Sequence, residues 1–103
     1  MSDLKLALEF YEKAQALYHN LGDRKGEAAT LNNIGLVHAE LDDAKEALPF
    51  YERALGLLNL PSDRIAMALT LRNMGHALQK LGEIARATAS FAEADKLDRN
   101  QKP

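Results

Sequence analysis

Apolar residues recur every three or four positions through most of the chain, which is the period of an α-helix. Within residues 4–21 they form two lines, one through Ala7, Tyr11, Ala14 and Tyr18 and the other through Leu6, Phe10, Ala14, Leu17 and Leu21. A half-buried strand would alternate apolar and polar residues, and the sequence carries no such signal. The pattern predicts an all-α fold, and the two lines indicate that the first helix has two packing neighbours.

Capping and turn residues divide this periodic pattern into five helices. Ser2 or Asp3 can cap the first helix and Asp23 the second, while Gly22 can adopt the left-handed conformation that ends a helix. Residues 59–62, Asn-Leu-Pro-Ser, form the clearest linker. The predicted helices cover about residues 4–19, 24–40, 43–58, 63–80 and 83–97. Pro49 is expected to bend the third helix without breaking it, because the apolar pattern continues through it.

The sequence repeats itself at a distance of about 40 residues. The residues that match across this shift are Leu31 with Leu71, Ile34 with Met74, Gly35 with Gly75, Ala47 with Ala87, Tyr51 with Phe91 and Ala54 with Ala94. The opposite shift places Ala47, Tyr51 and Ala54 on Ala7, Tyr11 and Ala14. The chain is therefore predicted to be a single domain made of half a repeat (1–22), two whole repeats (23–60 and 61–98) and a frayed tail (99–103).

A glycine occupies the same place inside one helix of each whole repeat, at Gly35 and Gly75. Glycine inside a helix costs up to about 1 kcal/mol relative to alanine, so a packing reason is expected. We expect the backbone of a neighbouring helix to approach closely at both positions.

The two matched helices of each repeat resemble the tetratricopeptide repeat. The resemblance rests on Leu31, Ile34, Gly35 and His38 followed by Ala47, Tyr51 and Ala54, and on Leu71, Met74, Gly75 and Leu78 followed by Ala87, Phe91 and Ala94. The usual repeat has 34 residues, and the longer unit here is similar to that of kinesin light chains. His38 and Leu78 stand in place of the usual tyrosine, and Asp42 in place of the turn glycine kept at Gly82. The resemblance implies a right-handed solenoid of antiparallel helix pairs that binds polypeptides.

The same resemblance implies that the first helix of each pair lines a concave groove. The residues expected to face a bound peptide there are Asn32, Asn33, Leu36, Leu69, Arg72, Asn73, His76, Gln79 and Lys80. A side-chain amide can pair with a peptide unit, so Asn33 and Asn73 are expected to hold the peptide backbone. The alternative is that each amide bonds a neighbouring helix. Arg72 and Lys80 could receive an acidic group, or could simply be solvated.

The first helix suggests a second function. In a complete repeat a preceding helix would cover its outer line, and that helix is missing from this sequence. The apolar residues expected to be exposed in its absence are Leu4, Leu6, Leu8 and Phe10. Such a patch favours self-association, as a homodimer, a helix-swapped oligomer or a head-to-tail stack. A third interpretation is a regulatory or sensor part of a larger signalling protein.

Composition and motifs exclude several other functions. The net charge is −2, with acids and bases evenly mixed, so no nucleic acid or anionic membrane surface is expected as partner. The chain has no cysteine, and His19, His38 and His76 have no second ligand at helical spacing, so neither a metal nor a cofactor is expected. No catalytic motif is present, which indicates a protein that is not an enzyme. Without an apolar span or a leader segment, a cytoplasmic location is expected.

Overall fold

Five α-helices occur in the predicted order in the computed structural model, which describes residues 2–99. They are α1 (Ser2–Leu21), α2 (Arg24–Glu40), α3 (Ala44–Leu57), α4 (Arg64–Lys80) and α5 (Ile84–Arg99). The predicted all-α class is confirmed. Differences are small: α1 already begins at Ser2, and α5 extends into the predicted tail as far as Arg99, while residues 100–103 of that tail lie outside the described part.

Successive helices pack against each other as hairpins, and α2 also approaches α4 across the stack. The result is a helical-hairpin solenoid with principal extents of 40 × 34 × 18 Å. Each helix depends on its neighbours in the chain, as in repeat proteins generally. The division into half a repeat and two whole repeats stays a prediction.

The turns between helices use left-handed residues and side-chain caps. Gly22 and Gly82 have φ of 72° and 79°, and Asp42 takes the same conformation with φ of 64° at the turn between α2 and α3. The carboxylate of Asp23 accepts from the backbone N–H of Gly26 at 2.9 Å, which confirms its capping role. Asp63 instead accepts from the backbone N–H of Asn59 at 2.8 Å and so holds the linker against the start of α4.

Aromatic rings lie over the helical glycines, and this corrects the expectation of a close backbone approach. A Cβ atom on Gly35 would lie 2.5 Å from Cε1 of Tyr51, and one on Gly75 would lie 2.6 Å from Cε1 of Phe91. Gly26 has the same relation to the ring of Tyr18, at 2.5 Å from Cδ1. The glycines are therefore required because a flat ring of the next or preceding helix occupies the space of a side chain.

The core lies along the contacts between α2, α3 and α4 and continues between α4 and α5, where Ala68, Ala94 and Leu97 form a buried cluster. One cluster joins Ala44, Ala47 and Tyr51 of α3 to Met74 and Ala77 of α4. A second cluster joins Ala54 and Leu58 to Ala28 and Leu31 of α2. Tyr51 at the centre is fully buried, so α3 fixes the distance between α2 and α4 and thereby shapes the face that these two helices share.

His38, which stands in place of the usual tyrosine, packs against an aromatic ring of α3. Its ring is half-buried and stacks on Phe50, with centroids 5.2 Å apart and planes inclined by 12°. The guanidinium carbon of Arg53 also lies over this phenyl ring, 5.9 Å from its centroid. The histidine therefore contributes a flat aromatic surface at this position, where Leu78 stands in the second repeat.

Candidate functional site

Two cavities open on the face shared by α2 and α4. The first, called the N-terminal cavity because it lies along the first halves of both helices, has a volume of about 250 Å³. Its lining consists of Lys25, Ala28, Ala29, Asn32, Asn33, Leu58, Ala66, Leu69 and Thr70. The walls are mainly aliphatic, and polar side chains stand at their edges.

The second, the C-terminal cavity, lies along the last halves of the same helices and has a volume of about 260 Å³. Its lining consists of Leu36, Ala39, Glu40, Tyr51, Asn73, His76, Ala77 and Lys80. This cavity therefore combines an apolar floor with one acidic and one basic side chain. We refer to the two cavities together as the groove.

A pair of side-chain amides stands between the cavities. The Nδ2 of Asn73 on α4 donates to the Oδ1 of Asn32 on α2 at 3.0 Å. Asn32 belongs to the lining of the N-terminal cavity and Asn73 to that of the other. Asn73 thus makes the interhelical bond that was the alternative to ligand binding, whereas Asn33 is half-buried at the cavity wall. A peptide-binding role of either amide stays a prediction.

Arg72 points away from the groove, contrary to the expectation. Its Nη2 donates to the Oδ1 of Asp95 at 3.3 Å and also to the Oδ2 of Asp98, both on α5. Successive residues of a helix are turned by about 100°, so with Asn73 facing α2 the side chain before it faces α5. The hydrogen bond to Asp98 is the main reason why the pKa of Arg72 is raised. The anion contact expected at this arginine is made within the chain.

The other expected groove residues divide between the cavities and the solvent. Asn33 and Leu69 line the N-terminal cavity, and Leu36, His76 and Lys80 line the C-terminal one. Gln79 is exposed and lies outside both linings. Seven of the nine expected residues, counting Asn32 and Asn73, are therefore brought together on one face.

Ion pairs neutralise part of the charge at the groove. The Nζ of Lys25 is 3.6 Å from the Oδ1 of Asp63, and the Nζ of Lys80 is 3.6 Å from the Oδ1 of Asp42. Both lysines are exposed, so these pairs are screened by solvent and weak. The carboxylate of Glu40 lies at the same cavity as Lys80, which gives this rim both signs of charge.

The hydroxyl of Tyr51 is a functional group that the sequence did not reveal. Its oxygen is buried and has no hydrogen-bond partner among residues 2–99, although Tyr51 belongs to the lining of the C-terminal cavity. Burial raises the pKa of Tyr51 from 10.0 to about 12, and the nearby Glu40 carboxylate adds to this. Both effects favour the protonated hydroxyl, which is the form that can donate a hydrogen bond. One indication in the sequence that this hydroxyl is not needed for packing is Phe91, which fills the matching position of the next repeat without one.

Four large apolar side chains lie exposed along one line of α1, which we call the α1 stripe. They are Leu6, Phe10, Leu17 and Leu21, with exposed fractions of 52%, 63%, 63% and 77%. Leu4 and Leu8 are half-buried, so the expectation that all four of the residues Leu4, Leu6, Leu8 and Phe10 would be exposed is wrong for these two. Residues two apart on a helix point about 200° apart, which turns Leu4 and Leu8 away from Leu6 and Phe10.

Other chemistry finds little support in the described part of the chain. Within residues 2–99 no group of three or more His, Cys, Asp or Glu side chains could hold a metal ion. None of the helices described there is long and apolar enough to cross a membrane. His19 instead lies 3.2 Å from the carboxylate of Glu27, to which Gln15 also donates at 2.8 Å, and these contacts join α1 to α2.

Comparison with models of protein families gives two matches. Residues 1–59 match a model described as tetratricopeptide repeat, and residues 71–101 match a second model with the same description. The first match covers α1 to α3, and the second covers most of α4 and α5. No curated protein matches the chain.

Proposed function

The chain belongs to the tetratricopeptide repeat family, whose model matches more than half of it, and from this premise we propose that it holds a peptide segment of a partner protein in the groove. Repeats of this family are generally protein–protein interaction modules and typically non-enzymatic scaffolds. The proposal adds the place of binding and the form of the ligand to that general role.

The observation that carries the proposal is the pair of cavities on the face shared by α2 and α4. Sites that bind chains in this way combine apolar pockets with a few well-placed polar groups. Leu69 and Leu36 offer apolar contact in the two cavities, and Asn33 offers both a donor and an acceptor to a peptide unit. A peptide could therefore satisfy its backbone groups and bury side chains in the same groove.

The test is selection of phage-displayed random twelve-residue peptides on the immobilised protein, followed by dissociation constants for synthetic copies. Leu69→Arg places a charge in the N-terminal cavity, and we expect it to weaken binding by at least tenfold, the equivalent of about 1.4 kcal/mol. Leu17→Arg is the matched control, because it changes a similarly exposed leucine on the α1 stripe. Peptides that bind both variants equally well would contradict the groove as the site.

The α1 stripe favours a second candidate function, self-association between copies of the chain. Full burial of an exposed leucine or phenylalanine side chain is worth about 1.5–3 kcal/mol, and these four are half to three-quarters exposed, so covering them with a second copy would favour a dimer. The measurement is molar mass by sedimentation over a micromolar concentration series, with Leu17→Arg as the variant and Leu69→Arg as its control. A wild-type mass that stays at 11.4 kDa throughout rules this candidate out.

The third interpretation, a regulatory or sensor part of a larger signalling protein, is compatible with either binding surface. A location in the cytoplasm likewise belongs to the proposal. Fractionation of cells and detection with an antibody to this chain would test both, through the compartment and the size of the detected protein.

A further inference from the structure

We infer that the groove selects an extended peptide through two side chains four residues apart, an apolar one in the N-terminal cavity and a carboxamide, of glutamine or asparagine, in the C-terminal cavity. The inference rests on the proposed function, because it specifies what the bound segment must contain. It is carried by the spacing of the cavities and by the polar groups of the second one.

The spacing follows from the helix positions that line each cavity. On α4 the first lining uses Ala66, Leu69 and Thr70, and the second runs from Asn73 to Lys80. The centres of the two linings are about eight residues apart on α4 and about nine on α2, which corresponds to roughly 12–14 Å along the helix axes at 1.5 Å per residue.

An extended peptide matches this distance with a spacing of four. Its residues rise by about 3.2–3.4 Å each, so the first and fifth lie about 13 Å apart. Side chains of an extended chain alternate between faces, and the first and fifth therefore point to the same side. A helical ligand would need about eight residues for the same distance. The amide bridge of Asn32 and Asn73 lies between the two anchor points.

The hydroxyl of Tyr51 indicates a hydrogen-bonding ligand in the C-terminal cavity. It is buried without a partner among the described residues, and a buried hydroxyl of this kind is costly until something bonds to it. Packing does not require it, since Phe91 places the same ring over Gly75 as Tyr51 does over Gly35. The cavity therefore provides a donor for an incoming acceptor.

The charges at the rim favour a neutral acceptor. A carboxylate in this cavity would be attracted by Lys80 but repelled by Glu40, and an ammonium group would be attracted by Glu40 but repelled by Lys80, so neither charge gains a net attraction there. A carboxamide carries no charge, accepts from the Tyr51 hydroxyl with its oxygen, and can donate to Glu40 with its NH2 group. Its aliphatic stem also fits beside Leu36, Ala39 and Ala77.

The experiment selects the same phage-displayed twelve-residue peptides on wild type and on Tyr51→Phe. With wild type we expect enriched sequences to share an apolar residue and a glutamine or asparagine four positions apart. A synthetic peptide in which this carboxamide residue is replaced by methionine should bind wild type roughly three- to tenfold more weakly, as for one lost hydrogen bond. The same replacement should leave binding to Tyr51→Phe unchanged, which isolates the coupling of the two groups.

Several results would overturn the inference alone. The first is that the enriched peptides need Leu69 intact but have a spacing other than four. The second is that they carry an acidic or basic residue at the second anchor. The third is that Tyr51→Phe prefers the carboxamide as strongly as wild type does. Selection that yields no peptide sensitive to Leu69→Arg would instead overturn the proposed function and the inference with it.

Discussion

The ring of Tyr51 and its hydroxyl have different physical consequences. The ring packs on Gly35 in the centre of the molecule, and this contact supports the fold. The hydroxyl is buried without a partner in residues 2–99 and contributes nothing to the fold that Phe91 does not contribute in its own hairpin. Groups that lower stability in this way are expected at binding sites.

Tyr51→Phe should therefore make the free protein more stable, by about 1 kcal/mol, because it removes an unsatisfied hydroxyl and keeps the ring. The measurement is urea denaturation followed by circular dichroism. Tyr51→Leu is the control, since it removes the ring as well and should be destabilising. A lower free energy of unfolding for Tyr51→Phe would show that the hydroxyl is satisfied in solution.

The difference in the free energy of unfolding between wild type and Tyr51→Phe should increase at high pH. The pKa of Tyr51 is about 12 in the folded protein and 10.0 as its ordinary value. Above pH 10 the unfolded chain loses this proton before the folded one does, so the wild type loses stability between pH 10 and 12. Tyr51→Phe lacks this contribution. Urea denaturation at pH 9, 10 and 11 should show a widening difference in its favour, and a constant difference would contradict the raised pKa.

Between elements, the close contact of glycine and aromatic ring sets how each hairpin closes. The ring of α3 occupies the place of a side chain on α2, and the ring of α5 does the same on α4. Because α2 and α4 are the walls of the groove, these contacts also hold its cavities in place.

Gly35→Ala should destabilise the protein by about 1–3 kcal/mol, because the new methyl group would overlap the Tyr51 ring and force it to shift. Gly56→Ala is the control on α3. Apart from the adjacent backbone of α3 itself, a Cβ there meets no atom of residues 2–99 within 4 Å, and the better helix propensity of alanine should stabilise the protein by up to about 1 kcal/mol. Thermal or urea denaturation compares the two. Equal effects would mean that the ring moves away without cost.

The positions of the helices were predictable from the sequence because apolar residues recur along them with a helical period. The side chains that pack against each helix face were not predictable in this way. Periodicity placed Gly35 in a tight contact but could not distinguish a backbone from the Tyr51 ring. It also grouped Leu4 with Leu6, although only the second belongs to the exposed line of α1. Arg72 was assigned to the groove because its acidic partners on α5 are 23 and 26 residues away in sequence.

At the scale of the whole molecule, stability is distributed unevenly along the stack. Helices α2, α3 and α4 each contact helices on two sides, while each terminal helix contacts one described neighbour, α1 contacting α2 and α5 contacting α4. Of the two terminal helices, α1 contributes no residue to the buried clusters of the described part and leaves its stripe exposed. In such a stack local opening starts at the end with the fewest contacts.

Amide hydrogen exchange should therefore be fastest in α1 and slowest in α2 and α3. Mass spectrometry of peptic peptides gives the rates, and dilution to submicromolar protein keeps self-association from protecting the α1 stripe. Uniform exchange in all five helices would indicate that the molecule opens only as a whole.

The hydrogen bond from Asn73 to Asn32 has a mechanical consequence. It joins the first helices of two successive hairpins, so the length of this one bond helps to set the pitch of the solenoid. A peptide segment that contacts both α2 and α4 would also affect the distance between these two helices. The curvature of the solenoid and the binding of a ligand in the groove are then coupled. In a longer array built from such repeats, the local bend would change wherever a ligand is bound.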